Sequence, residues 1–234
     1  MSEINYVICV PVYRVTEKVK RCFNSLKNMN VLIIDNTGKR ECEIFEGYGF
    51  EIQYQSENIG VPKAWNIGLK KGCDWTFIAS SSMMFYKNFS HVLDMIKDYD
   101  KLMFRTGFDW HFLGIHKGAV EKIGYFDENF YPGYFENTDW DYRCYLADIY
   151  EYKMHEIDAV CQADHECITN GLQVPGVKLH QYLTSKWGED NKEINWGVGH
   201  WGQYTNPFND PTKTIDYWEE ATVEELIERY KQEE

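Results

Sequence analysis

Two acidic residues, Glu136 and Asp139, stand three positions apart around the start of a stretch, Asn137 to Leu146, whose pattern predicts a helix. A carboxylate held at a helix start beside a cleft can take the proton of an attacking hydroxyl, the work of a general base. Asp139 is the first candidate and Glu136 the second. A plainer reading stays open beside it, in which Asp139 pairs with Arg143 at i,i+4 or favours the helix N-terminus. Asp141 reads as a surface acid. Asp35, in the cluster Asp35-Asn36-Thr37-Gly38, can accept hydrogen bonds from a base ring or ribose, or can serve only to form a turn. Asn58 and Asn66 could bond ribose or phosphate, or cap locally. Gly60 and Gly68 read as sites of backbone geometry or close packing. Trp110 could stack on a bound acceptor or belong to the core.

These residues need a frame. Asn5–Val12, Val31–Ile34 and Trp75–Ala79 are short apolar runs that read as buried strands, and Glu51–Gln55 as a polar-alternating one. Thr16 can cap a helix whose apolar face is Val15, Val19, Cys22, Phe23 and Leu26. Val61–Lys71 reads as a helix stopped by Gly72. This rhythm predicts an α/β fold, a mostly parallel sheet covered by helices. Such sheets bind ligands at the carboxyl ends of their strands, where Asp35-Asn36 and Ser80-Ser81-Ser82 fall. Further on, Leu102–Arg105 and Lys153–Cys161 read as strands, and Val120–Ile123 as a short helix. Gln173–Tyr217 shows little periodicity and reads as one long functional loop. Thr222 and Glu225 form a capping box for a terminal helix. The expected organisation is a core over 1–170, with halves of about 1–100 and 101–170, and a loop-rich extension over 171–234.

Composition narrows the classes. The aromatic share of 16% makes disorder a poor reading and suits contact with sugar or nucleobase rings. A formal net charge of −13 argues against nucleic acid or an anionic membrane as partner. Seven Cys without metal-type spacing read as reduced thiols. Neither a signal peptide nor a bilayer-spanning run is visible, so the expected location is the cytoplasm. Oligomeric state is not legible.

Four segments occur in a telling order. They are Pro11-Val12-Tyr13-Arg14; Ile33-Ile34-Asp35-Asn36-Thr37-Gly38; Glu57-Asn58-Ile59-Gly60 with Ala64, Asn66 and Gly68; and Gly124-Tyr125-Phe126-Asp127-Glu128 with Glu136-Asn137-Thr138-Asp139 and Arg143. Together they resemble family 2 glycosyltransferases of the GT-A fold, whose donor half is Rossmann-like. Lys186-Trp187-Gly188 and Asn206-Pro207-Phe208-Asn209 resemble the tails of viral and phage members, which would make the cytoplasm that of a host.

The resemblance implies an inverting transferase that moves a hexose or pentose from a nucleotide-diphosphate sugar to a glycan or glycoconjugate hydroxyl. It implies donor contacts from Pro11, Tyr13, Asp35, Asn58, Gly60, Asn66, Ser80 and Ser82. The sequence departs from the family twice. The family's metal-binding Asp-x-Asp after the fourth strand is Ser80-Ser81-Ser82 here, and the second acid before the acceptor helix is the amide Asn137. Dependence on Mn or Mg is therefore expected to be weak or absent, with His165 the one residue to consider as a ligand and Asp74 misplaced at the opposite strand end. Lys186 is expected to stabilise the leaving diphosphate instead, with His180 and His200 beside it in a lid. The missing acids motivate a rival, a catalytically degenerate nucleotide-sugar or glycan-binding protein. The tail motivates another, a phage-type transferase acting on modified DNA bases.

Overall fold

A computed structural model describes residues 4–86, 89–162 and 176–187. Its centre is a seven-stranded sheet in the order β3-β2-β1-β4-β7-β6-β8. The strands are β1 (Tyr6–Val12), β2 (Val31–Asp35), β3 (Glu51–Tyr54), β4 (Trp75–Ala79), β6 (Met103–Thr106), β7 (Phe112–His116) and β8 (Met154–His155). Only β7 runs against the rest, pairing antiparallel with both β4 and β6. The other pairings, β1 with β2 and β4, β2 with β3 and β6 with β8, are parallel. A small second sheet pairs β5 (Met83–Phe85) antiparallel with β9 (Ala159–Cys161).

The central strands are apolar on both sides because helices cover both. Ile8, Val10, Val31, Ile33 and Phe77 face α1 (Glu17–Ser25), a 3-10 stretch (Glu41–Tyr48) and α3 (Ser90–Ile96). Val7, Cys9, Leu32, Ile34 and Ile78 face α2 (Val61–Leu69), α4 (Lys117–Ile123) and α5 (Glu136–Leu146). Thr16 caps α1, its hydroxyl accepting from the Val19 N–H at 3.4 Å. Gly68 lets α2 lie directly on β1, since a Cβ there would stand 2.7 Å from that of Cys9. That contact fixes the start of α2, at Gly60, beside the carboxyl edge of the sheet.

Two expectations need correction. The single strand expected over Lys153–Cys161 is two short strands in different sheets, because the chain crosses from one to the other over Glu156–Asp158. Within the supposed long loop, Gly176–Trp187 is a helix, α6. Leu179, Tyr182, Leu183 and Trp187 recur at helical spacing and bury with Phe130, Phe135 and Tyr142. The terminal helix, His165 and His200 lie outside the described residues. No helix among the described residues is long and apolar enough to cross a membrane.

Candidate active site

The carboxyl edge gathers the ends of β1, β2 and β4 and the start of α2. Pro11 and Tyr13 are half-buried at the end of β1. Asp35 closes β2 fully buried, with both oxygens engaged by its own turn: Oδ1 accepts from the Thr37 N–H and Oδ2 from the Cys42 N–H, each at 2.9 Å. Each oxygen thus commits one lone pair to the turn, and the expected donor contact of Asp35 remains a proposal. The next residue differs. Asn36 is buried, its Nδ2 donates to the Gly60 carbonyl at 3.4 Å, and its Oδ1 has no partner. An unpaired buried acceptor is costly, about 1–3 kcal/mol, and marks a place where a donor is wanted. The sequence put Asn36 in the turn without assigning it a role; the signal available was its position directly after a strand-end acid.

Asn58 accepts the Gly60 N–H at 3.0 Å, a local turn. Gly60 has φ +81°, and a Cβ there would meet the Tyr131 ring at 2.8 Å. Its place is thus set by close packing of the Tyr131–Phe135 loop, whose Pro132 carbonyl accepts the Val61 N–H at 2.8 Å. Asn66 is fully buried and latched to the 126–128 segment. Its Oδ1 accepts the Phe126 N–H, while Nδ2 donates to the Phe126 carbonyl and to Glu128. This latch removes Asn66 from the donor side, because α2 turns that residue away from the strand ends and into the acceptor half.

Ser80 and Ser82 stand at the end of β4, their hydroxyls 2.8 Å apart and Ser82 Oγ 3.7 Å from Cys161 Sγ. These neutral donors bring no charge to offset the stripping of water from a hard divalent ion. No three His, Cys, Asp or Glu among the described residues are grouped so as to hold a metal. The described residues at this strand end do not fit such an ion.

On the acceptor side the two acids of α5 part company. Asp139 is fully buried; Oδ2 accepts from Arg143 Nε and Nη2 at 3.1 and 2.8 Å. Its Oδ1 takes Lys186 Nζ at 2.7 Å and Trp187 Nε1 at 2.8 Å. Burial opposes ionisation, but Lys186 and Arg143 outweigh it and hold the pKa below the ordinary carboxylate range. A carboxylate so engaged is a poor proton acceptor, which corrects the first choice of base. Lys186 is itself fully buried between Asp139 and Asp127, each at 2.7 Å. It is neutralised there and has no reach toward a diphosphate, so its expected role is corrected too.

Glu136 is the first residue of α5 and is 6% exposed, with an Oε2 that has no partner. Burial pushes its pKa up to about 7, against the opposing pull of the Glu136 and Tyr134 N–H groups. The two residues before it, Tyr134 and Phe135, hold φ of 79° and 69°. Left-handed backbone at non-glycine residues costs about 1–3 kcal/mol each and gathers at functional sites. Trp110 is half-buried, stacked on Trp65 at 5.8 Å, with Nε1 donating to Asp141 at 3.2 Å. Asp141 is no surface acid. It is buried and paired with Arg105, and burial lifts its pKa to about 6 against that cation.

No family model and no curated protein matches this chain. Solved structures do. Staphylococcus aureus TarS superposes with a TM-score of 0.56 at 13% identity, over 71% of this chain and 38% of that one. GalNAc-T7, solved with UDP, GalNAc and Mn2+, gives 0.54 at 10% identity, over 79% and 49%. The chain has the GT-A fold. The mannosyltransferase PcManGT from Pyrobaculum calidifontis, in complex with GDP-Man and Mn2+, gives 0.50 at 12% identity, over 67% and 56%. This GT-A chain thus spans only 38 to 56% of the length of these three structures.

Proposed function

We propose that the protein is a nucleotide-sugar glycosyltransferase in which Glu136 is the general base. The observation that carries this reading is the unpartnered Glu136 carboxylate oxygen, buried at the start of α5 beside the carboxyl edge of a GT-A sheet. A base with pKa near the working pH combines the ionised form with a useful driving force for proton transfer. In the proposed step an acceptor hydroxyl gives its proton to Glu136 as its oxygen bonds to the anomeric carbon. The bond from that carbon to the diphosphate breaks, and the nucleoside diphosphate leaves. Direct displacement of this kind inverts the anomeric centre. Because Oε2 is buried, the acceptor reaches it only after a local movement at the start of α5. A glycan or glycoconjugate is the acceptor class that fits.

On the donor side, Asn36 would act beside Asp35. Its free Oδ1 would accept an N–H from the nucleobase edge. Pro11 and Tyr13 stand beside it at the strand ends. The neighbours that hold UDP with GalNAc, or GDP-Man, support a sugar nucleotide as ligand class. The leaving diphosphate then relies on cationic side chains, and among the described residues Arg14, two positions past the end of β1, and Lys63, in the first turn of α2, are two such side chains.

The test is a panel of UDP- and GDP-sugars. A true donor raises the melting temperature by mass action, and its hydrolysis releases a nucleoside diphosphate. Glu136→Gln should keep the shift and lose turnover by about 100- to 10,000-fold. Stabilisation by a donor that the native protein never hydrolyses would instead identify a binding module.

A further inference from the structure

α6 lies across the acceptor half and reaches the turn that carries Glu136. Lys186 Nζ joins Asp127 Oδ2 to Asp139 Oδ1, and Trp187 Nε1 donates to that same Asp139 oxygen. Tyr182 donates its hydroxyl to Asp127 Oδ2 at 2.8 Å, while Asp127 Oδ1 accepts the Asn129 N–H at 2.9 Å. Arg143 carries the network onward, donating from Nη1 to the carbonyls of Ile123 and Tyr125 at 2.6 and 2.8 Å. Asp127, Asp139, Arg143 and Lys186 are all buried, and two cations balance two carboxylates. Asp139 is one turn along α5 from Glu136, and its N–H donates to the Phe135 carbonyl at 2.9 Å. The network therefore ties the start of α5 to two neighbours, the 123–129 segment and α6.

We propose that Lys186 and Trp187 are positioning residues, through which α6 fixes the first turn of α5 and so aims the Glu136 carboxylate. This proposal rests on the reading of Glu136 as base. Neither residue touches the reacting atoms; both act through Asp139. A buried, balanced ion network is rigid because any displacement leaves a charge unpaired in a low-dielectric interior. Catalytic groups need such rigidity, since a misplacement of about 1 Å can lower turnover by about 100-fold. The apolar contacts of α6, with Trp187 against Tyr142 at 4.7 Å and Tyr182 against Phe130 at 5.1 Å, would dock the helix without any charge. The ion pairs add direction to that docking.

Trp187→Phe removes one N–H and keeps the ring, so it is the mild variant; Lys186→Met is the severe one. Both are checked for folding by circular dichroism. The probe is the nucleotide sugar that the native protein hydrolyses fastest in the UDP- and GDP-sugar panel. Trp187→Phe should lower kcat about 10-fold and leave the donor KM unchanged. In a Glu136→Gln background the same change should lower nothing further, because the group it aims is gone. An unchanged kcat in folded Trp187→Phe, or an equal loss in both backgrounds, overturns the positioning role. Lys186→Met should show the same dependence on background wherever it folds. The base reading fails by a separate result, full turnover in Glu136→Gln itself. Absence of turnover in the native protein with every sugar overturns the transferase reading and this proposal together.

Discussion

Glu136 and Asp139 are one helical turn apart and titrate in opposite directions. Glu136 is raised to about 7 by burial, above its ordinary 4.5. Between those values the unfolded chain releases a proton that the native protein keeps, so stability falls as pH rises from about 4.5 through 7. Above that window the cost levels off at about 3 kcal/mol. Glu136→Gln should therefore raise the melting temperature at pH 8, make little difference at pH 4, and lower turnover by about 100- to 10,000-fold. A lower melting temperature at pH 8 would contradict the burial argument. Asp139 is the reverse case: burial raises its pKa, but Lys186 and Arg143 prevail and hold it below 3.8. Its stabilisation is present above pH 3.8 and lost as pH falls through the native pKa. Asp139→Asn leaves buried cations short of a partner and should cost about 3–5 kcal/mol at neutral pH, seen in a urea titration. At Ser80 and Ser82, exhaustive chelation should leave turnover largely intact; activity that vanishes and returns with micromolar manganese would contradict the misfit. The Asp139–Arg143 pair was legible as an i,i+4 spacing. Its partners Trp187 and Lys186 were not, because Trp187 lies 48 residues from Asp139, and Lys186 59 from Asp127.

Among the elements, β1, β2, β4, α1 and α2 were legible because each carries a strong local pattern, and the expected bounds fall within about two residues of the observed ones. β7 (Phe112–His116) was not, for its reversal depends on pairing with β4 and β6. α6 had a signal, Leu179, Tyr182, Leu183 and Lys186 at i, i+3, i+4 and i+7. It was lost within a longer segment rich in Gly, Trp and Pro. That same spacing places Lys186 on the buried face and so foretells its fate. The contact of α2 with β1 offers a test at this scale. Gly68→Ala adds a Cβ that meets Cys9 at 2.7 Å and Cys9 Sγ at 2.8 Å. The added methyl should outweigh alanine's better helix propensity, about 1 kcal/mol, with an overpacking cost of about 1–3 kcal/mol. The readouts are a lower melting temperature and weaker donor-induced stabilisation, since Gly60 moves with α2. An unchanged melting temperature would show that the helix has room to spare.

Over the whole molecule, one sheet with six strands in one direction brings the ends of β1, β2 and β4 to a common edge, and the Tyr131–Phe135 loop leans on that edge at Gly60. This arrangement was legible as a rhythm of strands and helices. Which acid keeps an unpartnered oxygen was not, since burial and partnering are properties of the assembled fold. A net charge of −13 weighs against a DNA acceptor, whose phosphates such a chain repels. The central claim, that Glu136 is the base, is met most directly by the pH dependence of kcat/KM for nucleotide-sugar hydrolysis by the native protein. That quantity reports the ionisation of essential groups in the free enzyme. The account predicts an acid limb that rises through about pH 7 and is lost in Glu136→Gln. A limb that survives in Glu136→Gln, or a profile flat from about pH 5 to 9, would contradict it.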